Sequence, residues 1–142
     1  MKKTICEFLE SYRDFLSCDP VPIEKIREAE EKLNLKFTDE YVECLLKYGS
    51  VDIEHIELNS VTDSLYSNVV KDTMDMRELP DADMIPADAY VVEDVGIDLV
   101  MAWQDSTGAV YLSYPGNGLE KVADSLGEYV ENELKIAAEE DE

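Results

Sequence analysis

Apolar and polar positions along the chain change period near residue 50, and that change organises the prediction. Over 4–17, Ile5, Phe8, Leu9, Tyr12, Phe15 and Leu16 recur at helical spacing, with Thr4 and Glu7 in a capping-box relation. The spacing predicts a helix there. Asp19-Pro20-Val21-Pro22 ends it, because proline disfavours helical geometry in the residue before it. A second helix is expected over 22–34, with Pro22 in its first turn and Ile23, Ile26, Ala29, Glu30 and Leu33 on one side. A third is expected over 39–48. Thr38 caps it, Asp39 and Glu40 complement its dipole, Tyr41, Val42, Leu45, Leu46 and Tyr48 are its apolar set, and Gly49 closes it.

Beyond Gly49 the pattern alternates. Val51, Ile53 and His55 interleave with Asp52 and Glu54, and Ile56 and Leu58 follow after a shift of phase. This predicts a bent strand or a short hairpin. Leu65, Val69, Thr73 and Met76 predict a helix over 63–78, with Asp63 as its cap, and 79–86 is a loop. Strands are expected at 90–93, 99–104, 109–114 and 119–122, with a tight turn at Asp105-Ser106-Thr107-Gly108. A closing helix over 125–138 takes Asp124 as N-cap, and 139–142 is a frayed acidic tail. Helices first, antiparallel strands next and a helix last predict an α+β fold. We read residues 1–142 as one domain, a length that buries a conventional core without staples.

Charge changes the functional picture. The chain carries 34 acids against 12 bases, a formal net charge of −22. Such a field argues against nucleic acid, whose phosphates need cations, and against anionic membranes. It attracts basic partners, although acidity also serves solubility alone. From Tyr48 to Glu120 the only bases are Lys71 and Arg77. The candidate partner-binding residues are acids of this segment: Asp52, Glu54, Glu57, Asp72, Asp75, Asp81, Asp83, Glu93, Asp94 and Asp98. Tyr114, beside a Pro-Gly turn, is the candidate aromatic anchor, whereas Trp103 is assigned to the core.

Catalytic chemistry finds little support. His55 is the single histidine, set in a strand, and Cys44 lies mid-helix among apolar neighbours, so neither is predicted to be catalytic. Cys6, Cys18 and Cys44 show no metal-binding spacing and no disulfide framework. The acids at 81–83 and 93–98 fail the EF-hand pattern, and glycine-rich phosphate loops are absent. No cofactor or metal is expected. Glu7, Glu10 and Asp14 interrupt any secretory apolar core, and no apolar run is long enough to span a membrane, so the expected location is the cytoplasm. The sequence carries no signal for oligomeric state.

Several segments, in order, resemble the SMI1/KNR4 (SUKH) family. They are Ile23-x-x-Ile26-x-x-Ala29-Glu30-x-x-Leu33, Phe37-Thr38-Asp39-Glu40-Tyr41, Leu45-Leu46-x-Tyr48-Gly49, Val95-Gly96-Ile97-Asp98, Ala102 through Gly108, Val110-Tyr111, and Val122 through Leu126 with Tyr129. The resemblance covers roughly 22–131. Thr38 stands where relatives usually carry proline, and the glycine common near Asn34 is missing. The resemblance implies a central sheet flanked by helices and no catalytic residues. It also implies an immunity protein that binds a co-encoded toxin, often a nuclease, or a regulatory interaction module in cell-wall signalling. A nuclease toxin is expected to be basic, which the acidic charge matches.

Overall fold

The computed structural model describes residues 3–61, 68–79, 84–95, 99–116 and 118–140, without the side chains of Cys18 and Glu140. Helix α1 spans Ile5–Tyr12, shorter than its apolar spacing predicts. Thr4 Oγ1 accepts from the Glu7 N–H at 3.2 Å, as the capping box requires. Arg13 ends the helix in the left-handed region (φ 63°). Its N–H donates to the Leu9 carbonyl. Beyond it, Leu16–Cys18 form strand β1 and pair with strand β2 (Ser50–Ile53). Phe15 leaves the helical register to pack edge-on against Tyr48, with ring centroids 5.2 Å apart. Tertiary pairing overrides local periodicity here.

Helices α2 (Ile23–Leu33) and α3 (Asp39–Lys47) match their predicted spans closely. Asn34 adopts φ 55° after α2, so asparagine supplies the left-handed closure for which glycine is the usual residue. Thr38 caps α3 by accepting from the Tyr41 N–H at 3.2 Å. Ile23 and Leu46, assigned to inner faces by spacing, are exposed and lie in terminal turns of their helices.

The alternating segment is a hairpin. Strand β2 turns back through Glu54 (φ 54°) and His55 into strand β3 (Ile56–Leu58). Val51, Ile53, Ile56 and Leu58 are buried, while Asp52, Glu54 and Glu57 are exposed. Helix α4 spans Val69–Arg77, and Asn68 caps it, its Oδ1 accepting from the N–H groups of Val70 and Lys71. Val69, Thr73 and Met76 form its buried stripe. The expected cap Asp63 and the expected stripe member Leu65 lie outside the described residues.

Strands β4 (Tyr90–Asp94), β5 (Met101–Gln104), β6 (Val110–Tyr114) and β7 (Gly118–Ala123) form an antiparallel meander in that order. Strand β5 begins at Met101 rather than 99, because Leu99 takes φ 63° and breaks the extended run. In the β5–β6 turn, Asp105 Oδ1 accepts from the Thr107 N–H at 2.9 Å, and Gly108 takes φ 96°. The other sheet is β1-β2-β3. Asn59 joins the two: its N–H donates to the Val92 carbonyl at 2.7 Å and its side-chain amide to Val91 O. The arrangement is α+β, as expected.

Alternation on β4 feeds two clusters. Tyr90 and Val92 face the main core with Ile26, Tyr41, Leu45 and Val51. Val91 faces a smaller cluster with Met76, Met101 and Trp103. Trp103 is fully buried, and its Nε1–H donates to Ser113 Oγ at 2.9 Å.

Helix α5 (Leu126–Glu140) is capped by Ser125 rather than Asp124. Ser125 Oγ accepts from the Glu128 N–H at 3.1 Å and donates to the Lys3 carbonyl. Asp124 instead pairs with Lys121 at 2.7 Å. The buried carboxylate of Glu40 ties the start of α5 to the start of α1. One oxygen accepts from the Ile5 N–H at 2.8 Å; the other accepts from the Leu126 N–H and from Gln104 Nε2, each at 2.7 Å. An acid in the first turn of α3 therefore satisfies the first N–H of two other helices.

Candidate partner-binding face

The hairpin places acids by strand alternation. Val51 and Ile53 point into the core, so Asp52 between them faces out. The register pairs Asp52 with Glu57 on β3 and with Leu16 on β1. Leu16, Asp52 and Glu57 thus form one outward cross-strand row, and Leu16 is 74 % exposed. Like charges directly opposite each other destabilise a sheet. Glu54 occupies the hairpin turn, where it accepts from the Tyr12 hydroxyl at 3.2 Å.

Glu93 belongs behind this row, not on the surface. It is buried beside the bulge in β4, accepting from the Tyr129 hydroxyl at 2.6 Å and from the Glu57 N–H at 3.2 Å. Burial pushes its carboxyl up to about 7, against those two hydrogen bonds; the charges of Glu133 and Glu57 push the same way. Its expected role as a surface contact therefore gives way to an internal one. Tyr114 lies near the same group. It is half-buried, and its hydroxyl donates to Glu120 at 3.4 Å. Burial raises its phenol, and the charges of Glu120 and Glu133 add to the shift.

A second group of acids gathers at α4. Asp72 is half-buried and accepts from the Asn59 amide at 3.0 Å. Burial raises its carboxyl, that hydrogen bond opposes the rise, and the charge of Asp94 adds to it. Asp94 is exposed at the end of β4, and Asp75 is exposed and paired with Lys71 at 2.9 Å. Asp81, Asp83 and Asp98 lie outside the described residues.

Few cations answer these charges. Arg77 donates to the carbonyls of Leu33 and Ala87 rather than to an acid. Lys3, Arg27, Lys32, Lys47, Lys121 and Lys135 pair with acids outside the candidate set. Among the described residues, Asp52, Glu54 and Glu57 take part in no ion pair. Leu16 and Glu133 were not among the sequence candidates. Helical spacing assigns Leu16 to an apolar stripe, and Glu133 reaches Glu93 through the packing of α5.

Cys44 and His55 differ in exposure. Cys44 is buried, and burial raises its thiol far above the ordinary value; Cys6 is also buried and is pushed up to about 12, chiefly by burial. His55 is exposed in the hairpin turn. Among the described residues, no cluster of His, Cys, Asp or Glu could hold a metal ion, and no helix is long and apolar enough to cross a membrane.

A family model described as SMI1-KNR4 cell-wall, SUKH_5, matches residues 5–135. The chain belongs to the SMI1-KNR4 (SUKH) family. The match takes in all seven strands, helices α1 to α4 and most of α5. No curated protein matches the chain. Two of the SUKH chain's departures from the family pattern now have physical substitutes: Thr38 caps α3 where proline would start it, and Asn34 supplies the left-handed closure of α2.

Proposed function

We propose that this SUKH protein is a non-catalytic, cytoplasmic immunity protein that neutralises a basic toxin of nuclease type, because a nuclease cleft must attract phosphates. The observation that carries the reading is the Asp52–Glu57 pair: two exposed carboxylates in direct cross-strand register with no base among the described residues to pair them. A sheet retains such a pair at a cost in stability, and a cation from a partner would reverse that cost. Asp72, Asp75 and Asp94 extend the acidic surface, and Asp81, Asp83 and Asp98 are candidates from the sequence alone. Tyr114 and Leu16 supply apolar contact. Steering by the net charge would speed the encounter.

Expression of each neighbouring open reading frame, with and without this chain, tests the proposal. One neighbour should arrest growth, and this chain should restore it. If no neighbour is toxic, or none is rescued, the immunity reading fails.

The description of the matching family model as cell-wall favours a second reading, a regulatory interaction module with no toxin partner. A set of cellular partners whose binding resists salt would support that alternative.

A further inference from the structure

We propose that Glu93 is the proton-binding group of a pH-sensitive joint between the two sheets and helix α5. The inference concerns the free protein and does not depend on any partner. Three elements meet at this carboxylate. It sits on β4, accepts from the Glu57 N–H on β3 at 3.2 Å, and accepts from the Tyr129 hydroxyl on α5 at 2.6 Å. Its contact with Glu57 lies beside the main-chain bond from Asn59 to Val92, so a side chain continues the seam between the sheets, next to the bulge in the β4–β5 pairing.

The charges around the joint are one-sided. The charges of Glu133 on α5 and of the outward Glu57 on β3 both act on Glu93; Tyr129 and, beyond it, Tyr114 are the nearby phenols. On β5 the registered partner is Ala102, which does not titrate. From α4, Asp72 is directed to Asn59 and acts on Asp94. Among the described residues, the charges that act most strongly on Glu93 are those of the acids Glu133 and Glu57. Among the described residues, the carboxylate is buried beside acids, and two donors favour its charged form.

Glu93 holds its proton up to about pH 7 in the folded chain, against an ordinary value of 4.5. Between those values the folded state binds more protons than the unfolded state, so stability falls as pH rises through the window. Below it the joint is neutral and closed. Above it an anion is buried beside Glu57 and Glu133, and the seam and the α5 contact loosen.

Site-resolved carboxyl NMR titration of Glu93, together with urea unfolding across the same pH range, tests the proposal. The expected Glu93 midpoint is near 7. Tyr129→Phe should move it higher, because the phenol donates to the charged form. Glu93→Gln should remove the fall in unfolding midpoint between about pH 5 and about pH 8. A midpoint in the ordinary carboxylate range, or an unchanged fall in Glu93→Gln, would overturn the proposal. If Glu93→Gln does not fold, the wild-type titration and the direction of the Tyr129→Phe shift decide.

Discussion

Asp52 and Glu57 stand directly opposite each other on adjacent antiparallel strands, and among the described residues neither pairs with a base. Their repulsion is a local cost in the free protein. Neutralising either one, as Asp52→Asn or Glu57→Gln, should stabilise the fold by roughly 0.2–1 kcal/mol. Added salt should shrink the difference, because both groups are exposed and screened. Urea midpoints at low and high salt measure both effects.

Glu40 carries much more. Removing its carboxylate leaves the Ile5 and Leu126 N–H groups without their acceptor in a buried place, and the Gln104 amide keeps only its bond to the Gly108 carbonyl. Each orphaned group costs on the order of 1–3 kcal/mol, so Glu40→Ala should lose several kcal/mol or fail to fold. Glu40→Gln, which retains one acceptor oxygen, should lose distinctly less. Chemical denaturation of the two variants separates them.

Gly127 lets α5 touch the residues that precede α1. A Cβ at this position would collide with the Thr4 and Lys3 carbonyl oxygens, both backbone atoms. Alanine ordinarily gains about 1 kcal/mol over glycine inside a helix. Here the clash should reverse the sign, with Gly127→Ala destabilising by about 1–3 kcal/mol as α1 and α5 are forced apart. Differential scanning calorimetry reads this as a fall in Tm.

Cys6 and Cys44 should resist alkylation while the chain is folded. Both are buried, and burial raises both thiols above the ordinary value, to about 12 for Cys6. At mildly alkaline pH neither supplies much thiolate. Site-resolved mass spectrometry after iodoacetamide treatment, before and after unfolding, should show modification of these two positions only in the unfolded sample.

Periodicity revealed most of the fold because most elements bury one face. Val51, Ile53, Ile56 and Leu58 announce the hairpin, and Thr38 and Gly49 bracket α3 within a residue. Leu16 shows the limit: its spacing suits a helical stripe, but pairing with β2 takes it into an edge strand. Ser125 and Asp124 are both good caps, and only the approach of Lys3 selects Ser125. At the candidate face, alternation correctly exposed Asp52, Glu54 and Glu57. It could not bury Glu93, because that depends on the β4 bulge and on Tyr129 arriving from α5. Glu40 was legible as a dipole partner of its own helix; its bonds to Ile5 and Leu126 come from residues 35 and 86 positions away.

The most direct measurement is calorimetric titration of the chain against the toxic neighbouring gene product, comparing wild type with the Asp52→Asn/Glu57→Gln double variant. Affinity should fall about tenfold or more in the double variant, and wild-type binding should weaken as sodium chloride is raised. Equal affinity for both proteins, with no dependence on salt, would contradict the proposed function.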